Sequence, residues 1–319
     1  MLLGMHPVAI VLRGCAVLIA AGAVAACTAN PGAPAPLPLA TATPAATASA
    51  AGAHSPSAVP TPAPAPKPKP KPKPKPKPRV RISREHTADG AMVTVAIFRG
   101  PVRFVLHNGS QDPGSAASVK GVRYGPAVGS GERRQLLAAF NGGFRLGVGA
   151  GGYQQEGHLV SPLLSGYASL IIDRSGRARI GVWGYGLPAR GEAVYSVRQN
   201  LRLLVEHGRP TPAAADPSVW GATLGGGAYV ARSAVGQDAA GDLLYAGSMS
   251  AVPEDLAVAL ARHGARVAME LDINPEWVQL DVAAQPGGPL HAEVPGQSRP
   301  ADQFLWGWTR DYFTVLANS

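Results

Sequence analysis

The stretch VARSAVGQDAAGDLLYAGSMSAVPEDLAVALARHGARVAMELD, residues 230–272, contains the patterns that decide the fold. Val230 to Gln237 and Asp242 to Ser248 contain short apolar stretches on either side of a turn, which is typical of a strand pair. The turn residues Asp238-Ala239-Ala240-Gly241 separate them. We therefore expect the two strands to form an antiparallel pair.

A helix and a third strand follow in the same stretch. Pro253 suits the first turn of a helix, two acidic residues follow it at the positive end of the helix dipole, and Gly264 ends the pattern. The apolar run Arg266 to Leu271 then predicts a buried strand. The order strand, strand, helix, strand indicates an α+β arrangement.

Similar patterns extend on the N-terminal side of this stretch. They predict strands at Ala91–Phe98, Val102–His107, Leu136–Phe140, Tyr167–Asp173 and Arg177–Trp183. We expect hairpins around residues 99–101 and 174–176, which hold Gly and other turn formers. Many strands, few helices and no repeat of fixed period predict an α+β fold: one globular domain over residues 79–319 with a strand-rich mixed sheet.

The chain before this domain has a different composition. Seventeen of the 31 prolines lie at or before Pro78, and residues 28–78 hold almost nothing to bury, so we expect a disordered, proline-rich tether. Six Lys-Pro repeats occupy residues 67–78, and polyproline II geometry would make them a spacer of about 37 Å. Their charge would suit anionic wall polymers or lipid headgroups, or would serve only to keep the spacer soluble.

The first 27 residues resemble a lipoprotein-type signal sequence. Arg13 precedes an apolar run from Cys15 to Ala26 that is short for a membrane span, and Val24-Ala25-Ala26-Cys27 resembles a bacterial lipobox. Lipidation at Cys27 would hold an exported protein on the outer face of the cytoplasmic membrane, within the cell envelope. An ordinary signal peptide is the alternative.

The charge and cysteine content of residues 79–319 exclude some classes of function. Residues 1–78 hold seven of the 29 basic side chains and no acidic one, so the domain has 22 basic and 20 acidic residues. This near balance gives no basic footprint for nucleic acid. Both cysteines, Cys15 and Cys27, precede the domain, which excludes a disulfide or a cysteine-bound metal within it.

Two short segments could bind a ligand. Asn141 follows a predicted buried strand, and the backbone of Gly142 and Gly143 permits a ligand to approach closely. An ordinary Asn-Gly turn is the alternative. Arg232, followed by Ser233, opens another strand and could bind a phosphate through two hydrogen bonds, although a surface arginine is the commoner meaning of such a residue.

A third segment holds paired carboxylates. Glu270 and Asp272 are two residues apart on a predicted strand, so they should point to one face and could divide acid and base roles. Ordinary salt bridges are the alternative. Asp272, Asn274 and Glu276 could chelate a hard cation, but Pro275 fits no known calcium loop, and we assign no metal.

The order of these motifs resembles the phosphodiester glycosidase family. The resemblance is carried by four segments: Asn141–Phe144, Gln199–Gly208, Arg232–Gly236, and the helix from Pro253 with the strand that ends at Asp272. It implies a hydrolase that cleaves a sugar-1-phosphodiester in an envelope glycan or wall polymer.

The same resemblance implies roles for individual residues. Asp272 would be the acid/base or nucleophile, Glu270 its partner, and Arg232 the phosphate ligand. The other substrate-binding residues would be Asn141, Gly142, Gly143, Asn200, Ser233 and Asn274. The sequence does not identify a cofactor.

The last motif departs from the family. The family reads Asn-Leu-Asp-Gly-Gly-Gly-Ser, whereas this chain reads Glu270-Leu271-Asp272-Ile273-Asn274-Pro275. The aspartate is kept, but the glycines that would let a ligand lie against the backbone are lost. A non-catalytic, glycan-binding envelope lipoprotein that retains the fold is therefore the alternative function.

Overall fold

A computed structural model describes residues 79–113, 119 and 121–318. The expected signal sequence over residues 1–27, lipidation at Cys27 and the tether over residues 28–78 lie outside the described residues.

Strands dominate this part of the chain. In chain order they are β1 Val80–His86, β2 Met92–Phe98, β3 Val102–His107, β4 Leu136–Asn141, β5 Tyr153–Gln155, β6 His158–Ser161, β7 Ala168–Ile172, β8 Ala178–Val182, β9 Ser196–Gln199, β10 Leu203–Glu206, β11 Arg209–Pro210, β12 Val230–Asp238, β13 Leu243–Ala251, β14 Ala265–Glu270, β15 Leu280–Ala283, β16 Leu290–Ala292 and β17 Tyr312–Ala317.

Helices are few and short. They are α1 Ser130–Arg133, α2 Pro253–Arg262 and α3 Gln303–Trp306, with 3-10 turns at Pro212–Ala215, Pro217–Val219 and Leu224–Gly226. None of the helices in the described part of the chain has the length and apolar character needed to cross a membrane.

The strands form three sheets. The first sheet has the order β1-β2-β13-β12-β14-β10-β11, the second β16-β15-β4-β17-β3, and the third β6-β5-β9-β7-β8. Neighbouring strands in all three are antiparallel. The strand-rich fold with few helices is confirmed, with three antiparallel sheets in place of the single mixed sheet.

Strand β2 shows how the first sheet buries both of its faces. Val93, Val95 and Ile97 belong to an apolar cluster with α2, whereas Ala96 and Phe98 belong to the central cluster that contains residues of all three sheets. Successive side chains of a strand point to opposite faces, so a nearly continuous apolar run serves two cores.

Phe140, at the end of β4, lies at the centre of the shared core. Its ring centroid is 5.7 Å from that of Phe98 in the first sheet and 5.2 Å from that of Phe313 in the second. Tyr245 of β13 lies 5.3 Å from the same ring. These contacts fix the position from which the chain continues into Asn141.

Helix α2 begins at Pro253 and ends before Gly264, as the sequence predicts. Its N-terminus is closed by Asp255, whose Oδ2 accepts a hydrogen bond of 3.0 Å from the backbone N–H of Val252. Leu256 and Leu260 are fully buried against the first sheet.

One predicted hairpin is wrong. Strands β2 and β3 flank the residues 99–101, but β2 pairs with β1 and β13 in the first sheet, whereas β3 pairs with β17 in the second. The chain therefore crosses between sheets at this point. The predicted pairs β7–β8 and β12–β13 are both present.

Candidate functional site

A cavity of about 580 Å³ opens where β4, β14 and β17 meet the loops that follow or precede them. It is lined by Gln111, Asp112, Phe144, Arg145, Val148, Ala150, Leu201, Gly221, Ala222, Asp272, Ile273, Asn274, Trp277, Thr309 and Arg310. Its volume is within the range of sites that bind small molecules.

Asp272 lies just beyond the end of β14, and its backbone is fixed by Ser233. The Ser233 N–H donates to the Asp272 carbonyl at 2.9 Å, and the Asp272 N–H donates to Ser233 Oγ at 3.1 Å. The carboxylate accepts a hydrogen bond of 2.9 Å from the Asn274 N–H at Oδ1, and its Oδ2 lies 3.2 Å from Arg310 Nη2. The chain thus holds this carboxylate at the cavity wall.

The protonation of Asp272 is set by opposing effects. Burial raises the pKa of this carboxyl to about 6, while the charge of Arg310 and backbone hydrogen bonds lower it, and Asp311 adds a smaller rise. A group with this pKa changes charge near neutral pH, which is the property required of a general acid or base.

Arg310 immediately precedes the ion-paired Asp311 and strand β17, and it links several walls of the cavity. Its Nε pairs with Asp112, and its Nη2 donates to the Gly143 carbonyl at 2.9 Å as well as facing Asp272. The guanidinium carbon lies 5.5 Å from the ring centroid of Trp277. One cation therefore neutralises two carboxylates of the cavity.

The cavity has an apolar wall and a polar wall. Phe144, Val148 and Ile273 contribute to the apolar side, while Arg310 and Arg145 supply positive charge. Arg145 is exposed and forms no ion pair with any described residue. A ligand with an anionic group and a ring or chain of lower polarity would fit both walls.

Glu270 and Arg232, expected at the site, do not line the cavity. Both are fully buried, and Arg232 Nη1 lies 2.8 Å from Glu270 Oε1. Arg232 also donates from Nε to the Ala251 carbonyl at 3.1 Å. Burial raises the pKa of Glu270 although Arg232 opposes the rise. In this arrangement Glu270 is the partner of Arg232 rather than of Asp272.

The side chain of Asn141 also lies inside the protein. Its Nδ2 donates to Ser233 Oγ at 2.8 Å, and its Oδ1 accepts from Tyr245 Oη at 3.0 Å and from the Gln279 N–H at 3.2 Å. All of these partners are buried. Asn141 and Ser233 therefore join β4 to β12 and hold Asp272 indirectly.

Asn200, like Asn141, connects two segments of the chain through its side-chain amide. Its Oδ1 accepts from the Phe144 N–H at 3.1 Å, and its Nδ2 donates to the carbonyls of Glu270 at 3.0 Å and Leu271 at 2.8 Å. Asn200 connects the loop after β4 with the chain that leads into Asp272. It does not line the cavity.

The paired glycines make room for a buried ion pair. Arg198 Nε lies 2.8 Å from Asp311 Oδ2, and both side chains are buried. A Cβ at Gly142 would overlap the Asp311 carboxylate, and a Cβ at Gly143 would lie 3.1 Å from Arg198 Cζ. Close approach does require the glycines, but here the approaching group belongs to the protein itself.

Asn274 is the one expected substrate-binding side chain besides Asp272 that lines the cavity. Its Oδ1 accepts a hydrogen bond of 2.9 Å from the Glu276 N–H, and Glu276 pairs with Arg299 at 2.7 Å. The side chains of Asp272 and Asn274 thus each accept a hydrogen bond from the backbone two residues further on. Within the described residues, no three His, Cys, Asp or Glu side chains are placed to hold a metal ion.

Four residues of the cavity were not singled out from the sequence: Asp112, Arg145, Trp277 and Arg310. Arg310-Asp311 is a charged pair directly before the apolar run Tyr312–Ala317. That position at the start of a buried strand is a signal that would have identified Arg310. The sequence around Asp112 holds no comparable pattern.

Comparisons with known proteins give limited similarity. No protein-family model matches the chain, and no curated protein matches it. One similar structure is the catalytic domain of zebrafish N-acetylglucosamine-1-phosphodiester alpha-N-acetylglucosaminidase, auto-inhibited by its pro-peptide, with 13% identity and a TM-score of 0.44. The match covers 76% of this chain and 83% of that one.

Two further solved structures are similar. A hypothetical protein from Synechocystis has 13% identity and a TM-score of 0.49, covering 75% of this chain and 62% of that one. A protein described as exported, from Burkholderia pseudomallei, has 14% identity and a TM-score of 0.38, covering 71% and 74%. All three TM-scores lie below 0.5, so function is inferred below from the residues of this chain.

Proposed function

We propose that this chain is a cell-envelope hydrolase that cleaves a sugar-1-phosphodiester, with Asp272 as the reacting carboxylate. One observation carries the proposal. Asp272 lies in the 580 Å³ cavity, its pKa is raised to about 6, and a guanidinium nitrogen of Arg310 lies 3.2 Å from it. A buried carboxylate beside fixed positive charge suits chemistry on an anionic substrate.

The proposed reaction breaks the bond between the sugar anomeric carbon and the phosphate oxygen. A water molecule attacks that carbon, Asp272 takes a proton from the water, and the bonding electrons leave with the phosphomonoester. The phosphomonoester leaves as an anion, so nearby positive charge can stabilise it and it needs no proton from a general acid. Arg145 and Arg310 would bind the phosphoryl group, and the apolar wall would contact the sugar.

Glycosidases commonly use two carboxylates. In this proposal Asp112 takes the place that the sequence suggested for Glu270, because Asp112 lines the same cavity as Asp272 and pairs with the same arginine. Its role would be to orient Arg310 rather than to react. Export, lipidation at Cys27 and binding of anionic polymers by the Lys-Pro repeats belong to the same hypothesis.

The test is hydrolysis of a panel of sugar-1-phosphodiesters by the full chain, beside uncharged glycosides of the same sugars. We expect turnover of phosphodiesters only, and a rate that rises with pH through about 6 as Asp272 ionises. Asp272→Asn should lose about 10²–10⁴-fold in rate while remaining folded. A folded Asp272→Asn protein with wild-type turnover would remove Asp272 from the mechanism.

A non-catalytic glycan-binding protein is the second candidate. It is favoured by Asn274 and Pro275, which stand where the resembling family has glycines, and by the burial of Glu270 with Arg232. In that case the wild-type protein and the Asp272→Asn variant would both bind the glycan, and neither would hydrolyse any phosphodiester. Equilibrium dialysis with the same panel distinguishes the two functions.

A further inference from the structure

A second concave surface lies between β3 and the hairpin β7–β8, with a volume of about 90 Å³. Three arginines, Arg103, Arg123 and Arg174, line it together with Tyr124 and Tyr195. We call it the arginine crevice. It shares no lining residue with the cavity that holds Asp272.

Aromatic rings hold two of the three guanidinium groups in place. The guanidinium carbon of Arg123 lies 4.3 Å from the centroid of the Tyr124 ring, and that of Arg174 lies 4.8 Å from the centroid of Tyr195. Arg103 is held by a hydrogen bond of 2.9 Å from Nη2 to Gln135 Oε1. Arg123 Nη2 also donates a hydrogen bond to the Tyr124 hydroxyl. A guanidinium held beside a ring loses less freedom when its remaining N–H groups bind a ligand.

No carboxylate neutralises these arginines. None of the three forms an ion pair with a described residue. The crevice nevertheless has two carboxylates nearby, Asp173 in its lining and Glu156 behind Tyr195. Three cations and two anions leave a net positive charge.

Both carboxylates are occupied by local donors. Asp173 Oδ1 accepts from Ser175 N at 2.8 Å, from Ser175 Oγ at 2.6 Å and from Arg177 N at 3.0 Å, all within one turn. Glu156 accepts from the Arg123 N–H at 2.7 Å and from Tyr195 Oη at 3.0 Å. These bonds fix the segments that carry Arg123 and Arg174 and occupy both carboxylates with donors other than the three guanidinium groups.

We propose that the arginine crevice binds a phosphoryl group, as part of a phosphate-bearing polymer or a lipid headgroup. Its volume holds about three water molecules, which suits a small tetrahedral anion and not a whole sugar residue. Arginine guanidinium groups match the geometry of phosphate oxygens and can bind them through two parallel hydrogen bonds. This binding does not depend on turnover at Asp272.

The test measures binding of the full-length protein to three probes: inorganic phosphate, soluble poly(glycerol phosphate), and vesicles of phosphatidylglycerol. The variant is Arg123→Ala with Arg174→Ala. The matched control is Arg190→Ala with Arg262→Ala, which removes the same charge from two exposed arginines elsewhere. Circular dichroism and urea midpoints of both variants should equal those of wild type.

We expect the crevice variant to lose about tenfold or more in affinity for inorganic phosphate and for one of the two larger probes. The slope of log affinity against log salt should decrease by about one to two, as for the loss of phosphate contacts. The larger probe that binds identifies the source of the phosphoryl group. Equal losses in the control variant, or wild-type binding by the crevice variant, would overturn the proposal.

Discussion

Two arginine–carboxylate pairs, whose carboxylates are two residues apart in the chain, have different surroundings. Arg232 and Glu270 are both fully buried, and each has the other as its charged partner, at 2.8 Å. Arg310 and Asp272 lie 3.2 Å apart at the cavity wall, with 8% and 6% of their side chains exposed. Arg310 is also shared with Asp112.

Residue type alone therefore does not show whether a carboxylate lies inside the protein or at the cavity wall. Strand β14 ends at Glu270, whose side chain is fully buried beside Arg232. Two residues later the chain has left the strand, and Asp272 reaches the cavity. A pair closed on itself stabilises the fold, whereas a carboxylate that shares its arginine can exchange that partner for a substrate anion.

The largest expected effect is at Arg232 and Glu270, which we call the closed pair because each is the charged partner of the other. Glu270→Gln leaves Arg232 as a buried charge without a counterion, so the free energy of unfolding should fall by about 3–5 kcal/mol. Urea denaturation at pH 9 measures it, because burial raises the pKa of Glu270 to about 8 and the carboxylate is ionised above that pH. The double variant Arg232→Met with Glu270→Leu should recover most of the loss, because it removes both charges and keeps the volume. A fully stable Glu270→Gln protein would contradict the closed-pair interpretation.

The next largest effect is expected at Arg310 and Asp272, the pair at the cavity wall. Arg310→Gln removes the cation that lowers the pKa of Asp272, so the rise of the phosphodiester rate with pH should move above pH 6. The rate itself should fall by about 10²–10³-fold. Arg310→Lys keeps the charge and should keep the rise close to its original pH. If the rise stays near pH 6 in Arg310→Gln, Arg310 does not control Asp272.

The local parts of the fold were predictable from the sequence. The strand pair predicted at residues 230–237 and 242–248 and the end signals of α2 depend on near neighbours in the chain, and the structure agrees with them. The hairpin predicted around residues 99–101 was wrong because a turn signal cannot tell a hairpin from a crossover between sheets. That choice depends on contacts with β17 and β13, far along the chain.

The site was predictable only in part, for the same reason. Asp272 and Asn274 were found because they follow a predicted strand. Arg232 was assigned to a phosphate because the sequence does not show that Glu270 lies 2.8 Å away from it. Asp112 and Arg310 come from distant loops, and only the packing of the second sheet against the first brings them to Asp272.

Asp281 provides a third arrangement, a buried carboxyl without a cation among the described residues. Burial raises its pKa to about 8, although hydrogen bonds from Gln297 and Gln279 oppose the rise. The unfolded pKa is about 3.9, so the folded state retains a proton that the unfolded state releases. The resulting stability is complete below about pH 4 and is lost as pH rises toward 8.

Asp281→Asn should remove this pH dependence. Between pH 5 and 8 the free energy of unfolding of wild type should fall by roughly 1–3 kcal/mol more than that of the variant. Urea midpoints of both proteins at the two pH values give the difference. If the urea midpoints of the two proteins change equally between pH 5 and 8, Asp281 is ionised in the folded state over this range and does not retain the proton.

The smallest effect is expected at an exposed pair of the same chemistry. Glu276 and Arg299 lie 2.7 Å apart, closer than Arg310 and Asp272, but 52% and 38% of their side chains are exposed. Water screens such charges and solvates either one alone, so Glu276→Gln should change the free energy of unfolding by no more than about 1 kcal/mol. Turnover should be unchanged, because Glu276 does not line the cavity. Since the substitution is the same Glu-to-Gln change as at Glu270, a similar loss of stability at both positions would show that distance, and not burial, determines the strength of these pairs.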